Sequence, residues 1–546
     1  MGSLRLIVTD EIDPEGVDLL RAERSFTVDE ISTPKPSDLL DIIGNYDAFV
    51  GRSATRLPAD VLKRATRLRV IGRAGVGTDN IDIPAATSLG IAIINAPGGN
   101  TVAVAELFFG TLIGLVRHLP RAAQSMREGR WDRSQLLGTE LRGRSLGIVG
   151  LGRIGGEVAA RARSFGMSLT AYDPYVTDER FDLLRVARAS SLEELLVACD
   201  VITVHTPLTP ETTGMIGTAE LRLLPRGAIV VNLARGGIVE ETALSSALAD
   251  GTLGGAILDV YAHEPLDAAS PLRSLPNVVL TPHLGASTTE GQRSVAVDVC
   301  AAVRDALLSG ELSRAINVVG GADGRWDEIR PALLLVRRMA SIGRAMLADR
   351  GARAVDSISL RVGRDFAEVA NLLVASAAAG ALDSIIDGVR LNLVNARTLA
   401  ENRGISLSVT TARSHDPDNG VHVTVRCGTR ELTVAGVAPA GSGPRLTLID
   451  GFAVDVTPRR TLLVLTNADV PGVIGRVGTL LGDAEVNIAE YHQARLSEGG
   501  DALAAVSVDG HITHAVRDRL LALPDIRSAT VIDFARLDPA GEESWS

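Results

Sequence analysis

Cysteine is scarce in this chain of 546 residues: Cys199, Cys300 and Cys427 lie far apart and follow no ligand spacing. Their scatter argues against a disulfide framework and against a zinc site, so no metal is expected. Lysine is almost missing, with Lys35 and Lys63 the two instances, so nearly all positive charge is arginine. That bias weakens any single arginine as a pointer to function. The formal net charge of −11 argues against a nucleic-acid surface. No uninterrupted apolar run is long enough to span a bilayer. The opening MGSLRLIVTDEIDP reads as a strand and a turn rather than a signal peptide. The expected setting is a reduced cytoplasm, with neither membrane nor nucleic acid as partner. At 46% hydrophobic and 22% charged, the composition is that of a globular protein. The length implies about three or four domains.

What is present is alternation. LRLIVTD reads as a strand and PEGVDLLRAE as the helix after it. DAFVGR, LRVIGRAG and IAIINAP are the next strands, with helices PADVLKRA and IDIPAATSLG between them. The rhythm predicts a doubly wound α/β domain with a parallel sheet. VAVAELFFGTLIGLVRHL predicts a long apolar helix over 102–119, and a second alternating series runs from Ser145 to about Thr281. A further long helix is predicted over 287–310. Two long helices bracketing one α/β unit imply an insertion: a 100–285 domain set into a domain formed by 1–99 and 286–318. NVVGGADGRWDEIRP looks like a linker. Helices and alternating segments then make an α+β unit over 319–457, with VAPAGSGPRL as a turn. The last unit spans 458–537, before the polar tail DPAGEESWS.

The strongest single motif is a strand running into Gly150-Leu151-Gly152-Arg153-Ile154-Gly155, with a helix after it. The first glycine permits the turn, the second lets a pyrophosphate approach, and the third lets helix pack on strand. The helix N-terminus offers N–H groups and the positive end of its dipole to phosphates. The next strand, SLTAYD, ends in Asp173, whose carboxylate would accept from ribose hydroxyls and repel a 2′-phosphate. NAD is therefore the expected cofactor.

Three later strand ends carry ionisable groups. VVNLARGG delivers Arg235, GAILDVYAHEPL delivers Asp259 and Glu264, and VVLTPHLGAST delivers His283. An imidazole takes or gives a proton near neutral pH, and a carboxylate beside it fixes its tautomer. Arginine grips a carboxylate with a fork of N–H donors. Together with a hydride acceptor, these groups suit oxidation of a 2-hydroxy acid. His205 and His263 also lie near strand ends, and spacing alone does not rank the three histidines.

In this order, GLGRIGG…YDP, VHTPLTPET, VNLARGG, LDVYAHEP and TPHLGAST resemble the D-isomer-specific 2-hydroxyacid dehydrogenases. GRSAT, GRAGVGTDNID, NAPGGNT and WDRSQLLGTEL resemble the phosphoglycerate branch of that family. The resemblance covers essentially the whole chain. It implies Arg235, Glu264 and His283 as the catalytic set, and oxidation of 3-phospho-D-glycerate to 3-phosphooxypyruvate with NAD, which opens serine synthesis. Besides the glycine turn with Arg153 and Ile154, and Asp173, it implies His205, Pro207, Ala234, Asp259 and Gly285 as cofactor contacts. The substrate contacts it implies are Arg52, Ser53, Arg73, Gly75 and Asn100. A loop beside a tryptophan reaches the neighbouring subunit in this family. Here it reads Trp131-Asp132-Arg133: Arg133 fits that role, and Asp132 departs from the more basic pattern. A homo-oligomer, dimer or tetramer, is implied.

The residues near 320–456 resemble the intervening domain of the longer members. The last unit reads βαββαβ, a ferredoxin-like plan, and resembles an ACT domain, an amino-acid-binding regulatory module. Asn467, Asp469 and Asn487 occupy positions resembling serine contacts, which implies L-serine as an effector. Two rival readings stand beside this one. One is a glyoxylate or hydroxypyruvate reductase of the same chemistry, and the other is an NAD-sensing binding protein without turnover.

Overall fold

The computed structural model describes residues 3–320, 325–352, 354–383, 385, 390–412, 417–440 and 443–534. The polar tail, and residues 441–442 of the VAPAGSGPRL turn, lie outside the described residues.

The first sheet holds β1 (Leu4–Val8), β2 (Phe26–Glu30), β3 (Ala48–Gly51), β4 (Val70–Arg73) and β5 (Ala92–Asn95). Their order is β2-β1-β3-β4-β5, all parallel. The sequence reading found four of these strands and missed β2. The inner strands are buried on both faces and read as apolar runs. β2 pairs on one side only, and its sequence FTVDE shows no such run.

The second sheet holds β6 (Ser145–Val149), β7 (Ser168–Tyr172), β8 (Ala187–Arg188), β9 (Val201–Val204), β10 (Ile229–Asn232), β11 (Gly255–Leu258) and β12 (Val278–Leu280). The order β12-β11-β10-β9-β6-β7-β8 is parallel throughout. Chain direction across the sheet reverses between β6 and β9, so the loops after those two strands diverge and leave a crevice.

The helix expected over 102–119 is two helices, Thr101–Val116 and Leu119–Arg127, bent by 64°. Pro120 explains the break. Its ring has no N–H to donate to Val116 and would collide with that carbonyl. The Val116 oxygen accepts from Thr139 N–H at 3.0 Å instead, and His118 turns through a left-handed φ of 54°. The second long helix is Thr289–Leu308; the Thr288 hydroxyl caps it by accepting from Gly291 N–H at 3.0 Å. Its Val295, Val299 and Val303 fill the core under the first sheet.

A helix, Trp326–Asp349, begins inside the segment read as a linker. Trp326 and Ile329 are buried, and Asp327 and Glu328 face the positive end of the helix dipole, so the stretch gains more as helix than as coil. That helix and Ala370–Leu382 cover a mixed sheet of β13 (Ser357–Val362), β14 (Ser406–Thr411), β15 (Gly420–Cys427), β16 (Arg430–Val437), β17 (Arg445–Ile449) and β18 (Phe452–Val456). The order is β14-β13-β15-β16-β17-β18, with β13 and β14 parallel and the rest antiparallel.

The last sheet is antiparallel: β19 (Thr461–Ala468), β20 (Ile488–Arg495), β21 (Asp501–Val508) and β22 (Ile526–Asp533), in the order β20-β21-β19-β22. Helices Val473–Asp483 and His514–Leu521 complete the βαββαβ plan. The residues of this sheet divide between two cores. Leu463, Leu465, Ala504 and Val506 pack with its own helices. Leu462, Val464, Leu503 and Phe534 join the core of the Trp326–Asp349 helix. The third and fourth units therefore share one core. Among the described residues, no single helix is long and apolar enough to cross a membrane.

Candidate active site

β6 ends at Val149, and the chain turns through Gly150, φ 91°, into the helix Arg153–Ser164. A Cβ on Gly155 would lie 2.1 Å from the Gly150 carbonyl oxygen, so glycine is what lets helix and turn sit this close. A Cβ on Gly152 would meet nothing within 4 Å, so the turn is open in front of the helix N-terminus. Asp173, just past β7, accepts from Leu151 N–H at 2.8 Å and from Tyr175 N–H at 2.9 Å. Arg153 is exposed, and Ile154 is half-buried. Against the other side of the turn, His205 Nδ1 and Thr206 Oγ1 are enclosed without a hydrogen-bond partner. The exposed Pro207 follows them, its carbonyl accepting from the Thr212 hydroxyl at 2.7 Å. An open turn, a helix N-terminus, a carboxylate on the next strand and an unpartnered hydroxyl fit a dinucleotide.

One arginine beside the turn carries no motif. Arg180, in the helix Asp178–Leu184, donates to the Leu151 and Gly152 carbonyls at 3.3 and 3.0 Å. It braces the glycine turn from outside. Nothing in DERFDLL distinguishes it from any other arginine of the chain.

Asp259, at the end of β11, is fully buried. Its Oδ1 accepts from the Thr281 hydroxyl at 2.5 Å and Leu284 N–H at 2.7 Å; its Oδ2 accepts from Gly285 N–H at 2.8 Å. Expected as a cofactor contact, Asp259 has both oxygens engaged in holding the loop that bears His283. The Tyr261 hydroxyl ties the same loop by donating to the Thr281 carbonyl at 2.9 Å. Burial, followed by the Asp259 charge, pushes the Tyr261 pKa up to about 12, so the hydroxyl keeps its proton.

Glu264 Oε1 accepts from Tyr261 N–H at 3.1 Å, and its Oε2 lies 2.8 Å from His283 Nδ1. A carboxylate on Nδ1 selects the tautomer with hydrogen there and leaves Nε2 to exchange a proton. This separates the three histidines. His205 is enclosed, with Nε2 3.1 Å from the Thr203 hydroxyl, and burial pushes its pKa down to about 4. His263 is exposed and forms no side-chain hydrogen bond or ion pair among the described residues.

Arg235 follows β10 on a turn held by Asn232, whose side chain donates to the Arg235 carbonyl at 2.8 Å and accepts from Ala234 N–H at 3.1 Å. A Cβ on Gly236 would lie 1.9 Å from the Tyr261 carbonyl oxygen. The missing side chain is what lets the Arg235 and Glu264 loops touch backbone to backbone. The guanidinium donates from Nη1 to the Ala234 carbonyl at 2.7 Å and from Nε to Asp79 Oδ2 at 3.0 Å.

Asp79 belongs to the first sheet's loops, which bring further arginines to the same cleft. Arg73 ends β4, donates to the Ala74 carbonyl at 3.1 Å, and has an enclosed Nε without a partner. Burial, followed by the nearby positive charge of Arg235, pushes its pKa down to about 10; Arg52 adds to the same effect. The Arg52 backbone N–H donates to the buried Asp10 at 2.9 Å. Asp10 also accepts from Thr55 N–H at 3.0 Å and the Thr55 hydroxyl at 2.6 Å. The sequence reading did not mark Asp10, which looks there like any residue opening a turn. Gly75 lies against the Arg73 guanidinium, Ser53 is exposed, and Asn100 Oδ1 is enclosed without a partner.

Two groups of expected residues are not gathered within one chain. Arg133 opens an exposed turn, Arg133–Gln135, beside Trp131, and forms no hydrogen bond or ion pair with the cleft residues. Asn467 and Asp469 lie at the β19 end that pairs with Asp501. Asn487 lies at the opposite end of the same sheet, where its side chain donates to Asp509 at 2.6 Å.

Comparison with known proteins matches residues 109–285 to the D-isomer specific 2-hydroxyacid dehydrogenase NAD binding domain. Residues 340–450 match the D-3-phosphoglycerate dehydrogenase intervening domain. The chain is 38% identical over 531 residues to the D-3-phosphoglycerate dehydrogenase of Synechocystis sp., covering 97% of this chain and 94% of that one. It is 37% identical to the Bacillus subtilis protein of the same name, covering 97% and 99%. Among solved structures, the TT0316 protein of Thermus thermophilus superposes with a TM-score of 0.54 at 36% identity, over 57% of this chain and 100% of that one. D-lactate dehydrogenase from Aquifex aeolicus, complexed with NAD and lactic acid, gives 0.51 at 26% identity, over 57% and 97%.

The enclosed His205 carries a pH prediction. Its folded pKa lies below the unfolded value of about 6.5, so the unfolded chain binds the extra proton between the two. Its contribution is intact above about 6.5 and is lost as pH falls toward 4. The melting-temperature advantage of wild type over His205→Asn should shrink as pH falls from 7 to 5. A gap independent of pH would contradict the buried, neutral ring.

Proposed function

The chain belongs to the D-isomer-specific 2-hydroxyacid dehydrogenase family, in its D-3-phosphoglycerate dehydrogenase branch, and we propose that the Arg235, Glu264 and His283 constellation is its catalytic set. It is an NAD-dependent dehydrogenase that oxidises 3-phospho-D-glycerate to 3-phosphooxypyruvate, the first step of serine biosynthesis. The observation that carries the site assignment is the 2.8 Å contact between Glu264 and His283 Nδ1, with Arg235 on a loop in backbone contact with that of Glu264.

When bound, NAD supplies the hydride acceptor. The N-terminus of the helix Arg153–Ser164 takes its pyrophosphate, and Asp173 its ribose hydroxyls. A fixed carboxylate there repels a 2′-phosphate, which favours NAD over NADP. His283 accepts the hydroxyl proton at Nε2, and Glu264 balances the imidazolium that forms. Arg235 grips the substrate carboxylate. Arg52 and Arg73 with Asn100 take the phosphate end. In the reverse direction the protonated His283 returns the proton.

Residues 1–99 and 286–318 form the substrate domain, and 100–285 form the nucleotide domain. Residues 319–457 and 458–537 form the intervening and ACT-type regulatory units. The arm that carries Arg133 exposes Trp131 to 78% and Leu137 to 88%, which supports a homo-oligomer in which Arg133 serves a neighbouring copy. Separation of Asn467 and Asp469 from Asn487 supports a serine site completed between two copies. A cytoplasmic setting suits both the chemistry and the three free, buried cysteines.

Two measurements test this. His283→Ala should lower NADH formation from 3-phosphoglycerate by about 10²–10⁴-fold while the NADH Kd holds. Arg73→Ala should raise KM for 3-phosphoglycerate far more than for unphosphorylated D-glycerate. Turnover that survives His283→Ala would remove the histidine from the mechanism, and equal effects on both substrates would remove Arg73 from the phosphate. For the effector, equilibrium dialysis of the full chain should show L-serine binding that weakens in Asn487→Ala. No binding at millimolar serine would dismiss the regulatory reading.

A further inference from the structure

Arg235 is held by a carboxylate that the catalytic set leaves unused. Asp79 sits between β4 and the helix Ile83–Ser88, on the loop GVGTDN. That loop is anchored on both sides. The Asn95 side chain donates to the Val76 carbonyl at 2.6 Å, and the Asn80 side chain donates to the Arg52 and Thr55 carbonyls at 2.9 and 2.7 Å. Arg235 stands on a turn equally fixed by Asn232. The Asp79–Arg235 pair therefore bridges the cleft between two rigid loops from two different sheets.

The pair also orients the guanidinium. Of its five N–H bonds, one on Nε goes to Asp79 and one on Nη1 goes to the Ala234 carbonyl. The rest lie on Nη1 and Nη2, the forked end suited to a carboxylate. Gly77 leaves room for this arrangement: a Cβ there would lie 1.9 Å from Arg235 Nη2 and 2.7 Å from Asp79 Oδ2. Arg73 repels the same guanidinium, so the opposite charge of Asp79 also keeps it in the cleft. An ion pair this exposed adds little to stability, so its effect is on orientation.

We propose that Asp79 is a positioning residue for the hydroxy-acid reaction, holding the Arg235 fork toward the substrate carboxylate across the cleft, with Gly77 as the space the pair requires. The proposal rests on Arg235 as the carboxylate grip. Its test compares wild type, Asp79→Ala and Asp79→Asn in the full-length protein. In Asp79→Ala, kcat/KM for 3-phosphoglycerate should fall about tenfold or more, mostly through KM, with melting temperature and NADH Kd unchanged. Asp79→Asn keeps an oxygen for the Nε–H and should recover part of the loss. The Kd of 3-phosphoglycerate for the protein–NADH complex, read by nucleotide fluorescence, should rise in parallel. Asp79→Ala within twofold of wild type in both measurements would overturn the proposal. So would an NADH Kd that worsens by the same factor. If wild type binds but turns over no 2-hydroxy acid, the enzymatic reading fails, while the binding series still decides the role of Asp79.

Discussion

Three like charges, Arg52, Arg73 and Arg235, stand in one cleft, and much of the surrounding structure keeps them there. Burial, followed by the charge of Arg235, pushes the Arg73 pKa down to about 10. The backbone that carries them is tied by neutral or negative groups: Asp10 under Arg52, Asn95 under the Val76 loop, Asn232 under Arg235, and Asp79 on the guanidinium itself. In the proposed roles, such a cluster would favour a ligand with two anionic ends, met by donors on loops already tied in place. That combination is preorganisation: the donors are oriented before the substrate arrives.

The proposed acid–base pair obeys the same logic with the opposite sign. Asp259 is a buried carboxylate whose charge is met by two N–H groups and a hydroxyl from the Thr281–Gly285 loop. Hanging the loop on that carboxylate places His283 against Glu264. Because the Gly236 backbone lies against the Tyr261 carbonyl, the loops of Arg235 and Glu264 are in direct contact.

The C-terminal units are not loosely attached. Their shared core is joined to the first sheet by Arg390, which donates to the Leu68 carbonyl at 2.8 Å, and by Asn392, which donates to the Gly90 carbonyl at 2.7 Å. These contacts lie at the entrances to β4 and β5, the strands whose far ends carry Arg73 and Asn95.

Much of the fold was legible in the sequence because buried parallel strands are apolar runs and the glycine turn has a fixed spacing with a physical reason for each glycine. Features governed by one-sided burial were not. β2 pairs on one edge and lacks the run, and Trp326 became helix because it is buried in a core assembled from residues well outside its own segment. Local chemistry likewise put Arg235, Glu264 and His283 at strand ends, yet could not choose among His205, His263 and His283. Which histidine meets a carboxylate, which arginines share a field, and which aspartate faces Arg235 depend on distances between loops of different strands and sheets. Residue types and short-range periodicity set the elements and the chemistry on offer; long-range packing alone decided which of those groups meet, because charge and hydrogen bonding act through space rather than along the chain.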